Sequence, residues 1–213
     1  VLDDGERRAS ETTLAAKRQR TRVLGIDPGS RKTGWGVIDV LHQERKLVHV
    51  DNGALFLDTK ADLSARLLEL SRALAQVIET HRPTCSAVED VYVAKGARSA
   101  LILGQARGAA VATLGLHGLT VESHTAAQVK ARVTGRGRAS KEQVAEMVCV
   151  LLGLPEHPFE DAADALAVAV CHAMTFLGPE VMARAASTTG AKPAKARKGR
   201  AGLADLARAQ GKI

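Results

Sequence analysis

Apolar positions change their spacing several times along the chain, and each change marks an element. Val23, Leu24 and Ile26 lead into Asp27, Pro28 and Gly29, which reads as a buried strand running into a tight turn. Residues 33–40 (TGWGVIDV) and 46–57 follow as strands, the second with a bulge or break expected at Asp51, Asn52 and Gly53. Short polar connections between the three predict an antiparallel meander. Asp62 then N-caps a helix in which Leu63, Leu67, Leu70, Leu74, Val77 and Ile78 recur at three- and four-residue steps, ending at HRPT, residues 81–84.

A second rhythm begins at Ser86. A strand over 86–91, a Gly/Ala-rich helix over 100–116 and a strand over 119–122 alternate in the way that predicts parallel pairing. A short helix over 125–133 follows, and Ser140 with Gln143 forms a capping-box pair opening a helix to Leu152. The last helix, 159–176, is dominated by Ala. The expected fold is α/β: a mixed five-stranded sheet, three antiparallel strands then two parallel ones, with helices on both faces, over residues 22–178. Residues 1–21 show no sustained periodicity and read as a disordered leader. The Lys/Ala/Gly/Arg-rich stretch 179–213 reads as a disordered basic tail.

Composition refines this picture mainly through where the charge lies. The chain of 213 residues carries a net charge of +7, yet residues 23–180 hold sixteen Lys/Arg against eighteen Asp/Glu. Residues 1–22 hold six against four, and residues 181–213 hold eight against one, so the basic character belongs to the ends. A basic tail suits a polyanionic partner and also suits a mere solubilising extension. Cys85, Cys149 and Cys171 form no C-x-x-C pair and sit among apolar or small residues, as buried reduced thiols do. No apolar run is read as long enough to span a membrane, and residues 1–22 lack the apolar stretch of a signal peptide, so a cytoplasmic location is expected.

Candidate chemistry comes from carboxylates placed where carboxylates are costly. Asp27 ends the first strand, and Glu89 and Asp90 lie on the fourth. Strand alternation puts Glu89 on one face with Ala87 and Asp90 on the other with Val88. In FEDAADALAVAV, Asp161 and Asp164 are three residues apart on one helix face, and the surrounding alanines permit close backbone approach. Strands one and four are neighbours in the expected sheet, so a last helix crossing their ends brings four acids together. Such a cluster repels itself without cations, and oxygen-only ligands suit Mg²⁺ or Mn²⁺. Two such ions roughly 3.5–4 Å apart would serve phosphodiester hydrolysis. Taken singly, each acid has a plainer explanation, since Asp161 suits a helix N-terminus and Asp164 a solvated face. Their order and spacing together carry the reading.

Around the acids lie residues suited to nucleic acid. Lys130, Arg132, Arg136, Arg138 and Lys141 fall between Ser123 and Lys141 with no acid among them, a phosphate-binding run or simply a solvated face. Tyr92, following the acidic strand, is either a ring that stacks on opened bases or a packing residue at the rim. The 100–116 helix is apolar on several faces, which fits core burial and also subunit pairing. His172 reads as a packing residue.

Four segments in order, LGIDPGSRKTGWGVI, VEDVYVAKGARSALILGQARGAA, AAQVKARVTGRGRASKEQVAEMV and DAADALAVAVCHA, closely resemble the RuvC family of bacterial Holliday-junction resolvases, from Arg22 to about Ala173. The resemblance implies an RNase H-like fold and a homodimer. It also implies a metal-dependent endonuclease that cuts four-way DNA junctions symmetrically beside a branch-migration motor. It makes Asp27, Glu89, Asp161 and Asp164 the catalytic, metal-binding acids, leaves Asp90 out, and matches Lys130 and Lys141 to basic positions near the centre. Two Mg²⁺ per subunit are expected, with Mn²⁺ able to substitute. Tyr92 stands where the family commonly has Phe. Three rival readings remain at this stage. An actin-like ATPase or sugar kinase would share GIDPGS but need a second domain for which the chain has no room. The others are a non-catalytic junction-binding module and an RNase H-like nuclease acting on RNA.

Overall fold

In the computed structural model, which describes residues 20–90 and 96–178, the first three strands form the expected meander. β1 (Arg20–Asp27), β2 (Lys32–Leu41) and β3 (Lys46–Phe56) pair antiparallel in sequence order. α1 (Leu63–His81) is capped by the Asp62 carboxylate, which accepts from the Ala65 N–H. β4 (Cys85–Asp90), α2 (Ala97–Leu116) and β5 (Val121–Thr125) supply the alternating part, followed by α3 (Ala126–Thr134), α4 (Lys141–Leu152) and α5 (Glu160–Leu177). The sheet order is β3-β2-β1-β4-β5, with β1–β4 and β4–β5 parallel. The capping box expected at Ser140 and Gln143 is present, and a second one joins Thr125 to Gln128.

Two local expectations are corrected. The fifth strand begins at Val121, not Leu119. Gly118 adopts φ +74° and the Leu119 N–H returns to the Leu114 carbonyl at 3.1 Å, so Leu119 closes α2 rather than opening β5. The irregularity of β3 falls one residue before the Asp-Asn-Gly stretch. Val37 pairs with Asp51 and Ile38 with His49, leaving Val50 as the bulged residue, while Asn52 and Gly53 stay in register with Gly36 and Trp35. Gly53 has a packing reason to stay there, because a Cβ on it would come within 2.9 Å of the Trp35 indole.

The sheet separates two apolar layers. Val23, Ile38, Val40 and Ala87 face α3, α4 and α5, while Leu24, Ile26, Val37 and Val88 face α1 and α2. α5 is buried almost all round, and what seats it is small residues on both sides. A Cβ on Gly25 would overlap the Ala165 carbonyl, one on Gly34 the Asp161 carbonyl, and one on Gly36 would lie 2.7 Å from the Leu166 side chain. Glycines under an Ala-rich helix let its backbone lie directly on β1 and β2, and this fixes where the helix's first-turn acids stand.

α2 is more apolar than α1. Among the described residues it is the one helix long and apolar enough, by length and composition alone, to cross a membrane. It carries Arg98 and Arg107, and its buried residues, Ala106, Ala110, Thr113 and Leu114, occupy only one side.

Candidate active site

Alternation along β1 sends Val23 and Gly25 toward α5, so Asp27 follows them to that face. β4 runs parallel to β1 with Ile26 opposite Val88, which brings Glu89 beside Asp27 at the same end of the sheet. Asp164 comes down from α5 to join them. The three acids line one cavity of about 210 Å³, walled by Ala126, Val129, Val144 and Ala167 and flanked by Lys130 and Lys141. Asp161, one turn nearer the helix start, stands at the rim with its carboxylate 3.3 Å from the Lys32 ammonium. Strand, strand and helix thus deliver the four acids read from the sequence to one place.

The electrostatics are those of an under-compensated cluster. Burial, then the Glu89 and Asp164 carboxylates, push the Asp27 carboxyl up to about 8, with Lys141 pulling the other way. Burial and Asp164 likewise raise Glu89, against Lys141 and Lys130. The Lys141 ammonium donates to Asp164 at 3.0 Å and lies 3.6 Å from Glu160, and its own pKa is raised chiefly by that hydrogen bond. Among the described residues no three acid, His or Cys side chains are already gathered around a single ion position. Lys141 and Lys32 instead hold Asp164 and Asp161. The donor set nevertheless fits a hard divalent cation: it is all carboxylate, it opens into a cavity, and its innermost member lacks sufficient positive charge.

A stability consequence follows from Asp27. The native carboxyl keeps its proton up to about pH 8, whereas the same group in the unfolded chain loses it near its ordinary value of 3.8. The native state therefore binds the extra proton between those limits, and stability falls as pH rises through that window. In chelator, Asp27→Asn should melt above the parent at pH 8, and the gap should close toward pH 4. Calorimetry at the two pH values checks this, and a parent that melts higher at pH 8 contradicts it.

The remaining sequence candidates divide. Lys130 lies on the cavity wall, whereas Arg132 turns toward the Cys171 thiol. Arg136 and Arg138 are exposed in the turn between α3 and α4, where Arg136 also lines a separate cleft of about 350 Å³ with Gln143 and Glu146. Lys141 points into the acids rather than away from them. Tyr92 lies outside the described residues. His172 is buried, as expected of a packing residue, with its Nδ1 3.3 Å from His124 Nε2. The three cysteines are buried and free.

Two cations escaped the sequence reading. Arg107 reaches from α2 to the end of β4, donating to the Glu89 carbonyl at 3.3 Å and to Ser123 Oγ at 2.7 Å, with Asp90 Oδ1 at 3.3 Å. It fixes the strand end that carries Glu89 from the opposite face and accounts for Asp90, which is exposed there. The available signal was a charge in the middle of a largely apolar helix. The other is Lys32, which follows Asp27 closely in sequence and returns to the acid site through the start of β2.

Known proteins resemble the chain in both sequence and fold. The family model "Crossover junction endodeoxyribonuclease RuvC" matches residues 23–172. The crossover junction endodeoxyribonuclease RuvC of Geotalea uraniireducens is 55% identical over 152 residues, covering 71% of this chain and 88% of the relative. The solved structure of T. thermophilus RuvC in complex with Holliday junction substrate superposes with a TM-score of 0.69 at 31% identity, covering 75% of this chain and 97% of that one. The yeast mitochondrial Holliday junction resolvase, at 15% identity and a TM-score of 0.54 over 77% of this chain and 84% of its own, shares the fold. The mixed sheet is thus the RNase H-like arrangement that the sequence led us to expect. With the match running from β1 nearly to the end of α5, through all four acids, the chain belongs to the RuvC family of crossover junction endodeoxyribonucleases.

Proposed function

We propose that this chain resolves four-way DNA junctions by paired, symmetric nicks in recombination and repair, cutting each strand at the Asp27, Glu89, Asp161 and Asp164 cluster with Mg²⁺. The observation that supports this best is the convergence of carboxylates from β1, β4 and α5 on one cavity that also receives Lys130 and Lys141. A pure phosphate binder would gain by losing those acids. Bound divalent ions, two per subunit with Mn²⁺ able to substitute, would supply charge stabilisation to the phosphoryl oxygens and an activated water. The chain's own part is to orient and to exclude. Asp27 and Glu89 are fixed by the sheet, Asp164 by the seated helix, and the apolar wall of Val129, Val144 and Ala167 keeps bulk water from one side. Lys141, on leaving Asp164, is placed to meet a strand phosphate, as is Lys130. Arg132, Arg136 and Arg138 extend the basic surface, the eight Lys/Arg of residues 181–213 add charge in the same sense, and Tyr92 is the candidate ring for bases opened at the junction.

Paired nicks need two sites, and α2 offers the surface. Leu101 and Leu116 are 64% and 86% exposed, and Cβ atoms built on Gly104, Gly108 and Gly115 would meet nothing within 4 Å. An apolar, small-residue helix face of this kind suits a homodimer. The branch-migration motor and a cytoplasmic setting belong to the same reading, by family. The test is a supercoiled plasmid extruding a cruciform. With Mg²⁺, paired nicks within one binding event linearise it, and chelator leaves it intact. Leu101→Asp should elute as a monomer, melt close to the parent, and yield nicked circles instead of linear product. Nicked circles from the dimeric parent would contradict the paired mechanism.

A further inference from the structure

At the rim of the acid cluster, Lys32, Phe56 and Phe159 come together from β2, β3 and the residue preceding α5. Lys32 and Phe56 are cross-strand partners, and Phe159 is the N-cap residue of α5. The Lys32 ammonium lies 5.7 Å from the Phe56 ring centre and 5.8 Å from that of Phe159, while holding Asp161 at 3.3 Å. The rings are 50% and 47% exposed. The whole chain has only five aromatic residues, one Trp, one Tyr and three Phe, so two open rings beside one carboxylate of the site are not a by-product of an aromatic-rich surface. Their faces flank a positive charge, the combination that suits a nucleic-acid strand: π-surfaces for base or sugar, an ammonium for phosphate.

Accepting the acid cluster as the cutting site, we infer that Phe56, Lys32 and Phe159 form a strand-binding subsite that holds the nucleotide adjoining the scissile phosphate. Position commits the occupant, because a strand whose phosphate reaches Asp161 has to pass the group that now holds Asp161. Lys32 then exchanges the carboxylate for a backbone phosphate, and the rings pack on the base and sugar beside it. Neither ring is needed for the core, since each leaves about half of its surface in water.

Binding measured without cleavage tests this. In an Asp27→Asn background, the full chain is titrated by fluorescence anisotropy onto a synthetic four-way junction, intact or abasic at the nucleotides flanking the mapped cut, over a series of KCl concentrations. Phe56→Leu with Phe159→Leu keeps apolar bulk but removes both aromatic faces. It should weaken binding to the intact junction on the order of 10-fold with no change in salt slope. The abasic junction should weaken binding by the parent similarly and add nothing further in the double variant. Lys32→Met should make the salt slope shallower by about 0.9, one phosphate contact. Binding by the double variant equal to that of its parent, or an abasic penalty undiminished in it, overturns the subsite alone. A parent that binds four-way junction no better than duplex overturns the cutting-site reading as well.

Discussion

Asp27→Asn is expected to lower the single-turnover rate of junction cleavage by at least about 100-fold while junction binding persists or tightens. Mutating even the outer partners of metal ligands commonly costs 10- to 100-fold, and Asp27 is the innermost carboxylate of the cluster. Asn keeps the shape and one oxygen, so the strand end and the α5 seat remain. What disappears is the charge that a divalent cation requires, from a carboxyl that burial first, and then the Glu89 and Asp164 carboxylates, raise to about 8. Binding should not suffer, because a phosphate backbone gains from a less negative cavity. Glu89→Gln and Asp164→Asn should act in the same direction, as should Asp161→Asn at the rim. Cleavage near the parent rate by all four, with binding intact, would remove the active-site assignment.

A second large effect is expected at a residue with no charge of its own, Gly34, the cross-strand partner of Asp27. Gly34→Ala adds one methyl where the Asp161 carbonyl already lies, and the obstacle is helix backbone rather than a side chain that can turn away. Overpacking of this kind typically costs 1–3 kcal/mol and is relieved only by lifting α5 from β2. Lifting the helix carries Asp161 and Asp164 away from Asp27 and Glu89, and small misplacements of reacting groups are kinetically expensive. The urea midpoint should therefore fall, and cleavage per folded molecule should fall with it by about 100-fold. Loss of stability with full activity in the surviving folded molecules would mean that the helix seat does not set the site.

These two residues show what the sequence made legible. The expected position of Asp27 needed only the apolar alternation of Val23, Leu24 and Ile26 and the Pro28–Gly29 turn. Strand parity put Glu89 and Asp90 on opposite faces and the family resemblance chose Glu89, while Asp161 with Asp164 came from helical spacing among alanines. The convergence of the four rested on two topological steps, β1 lying beside β4 and the last helix crossing their ends. Other features were less legible. The glycines under α5 look like ordinary strand punctuation until the helix lies on them. Leu119 reads as a strand residue because its apolar character serves a helix end equally well. The rim of Lys32, Phe56 and Phe159 depends on the β2–β3 register, set through a turn in which Arg45 adopts φ +50°, and no local pattern encodes that. Lys141, read as part of a basic run and matched by the resemblance to a position near the centre, is held in the folded chain by Asp164, 23 residues away.

The most direct measurement compares cleavage by the full chain of a synthetic four-way DNA junction, a duplex of the same sequence and an RNA–DNA hybrid, each with Mg²⁺ and with chelator. The expected result is paired nicks at symmetric positions on two opposing strands of the junction, only with the metal, and no comparable cutting of duplex or hybrid. Equal cutting of the hybrid, or junction cleavage that survives chelation, would contradict the reading of these four carboxylates as a metal-dependent junction-resolving site.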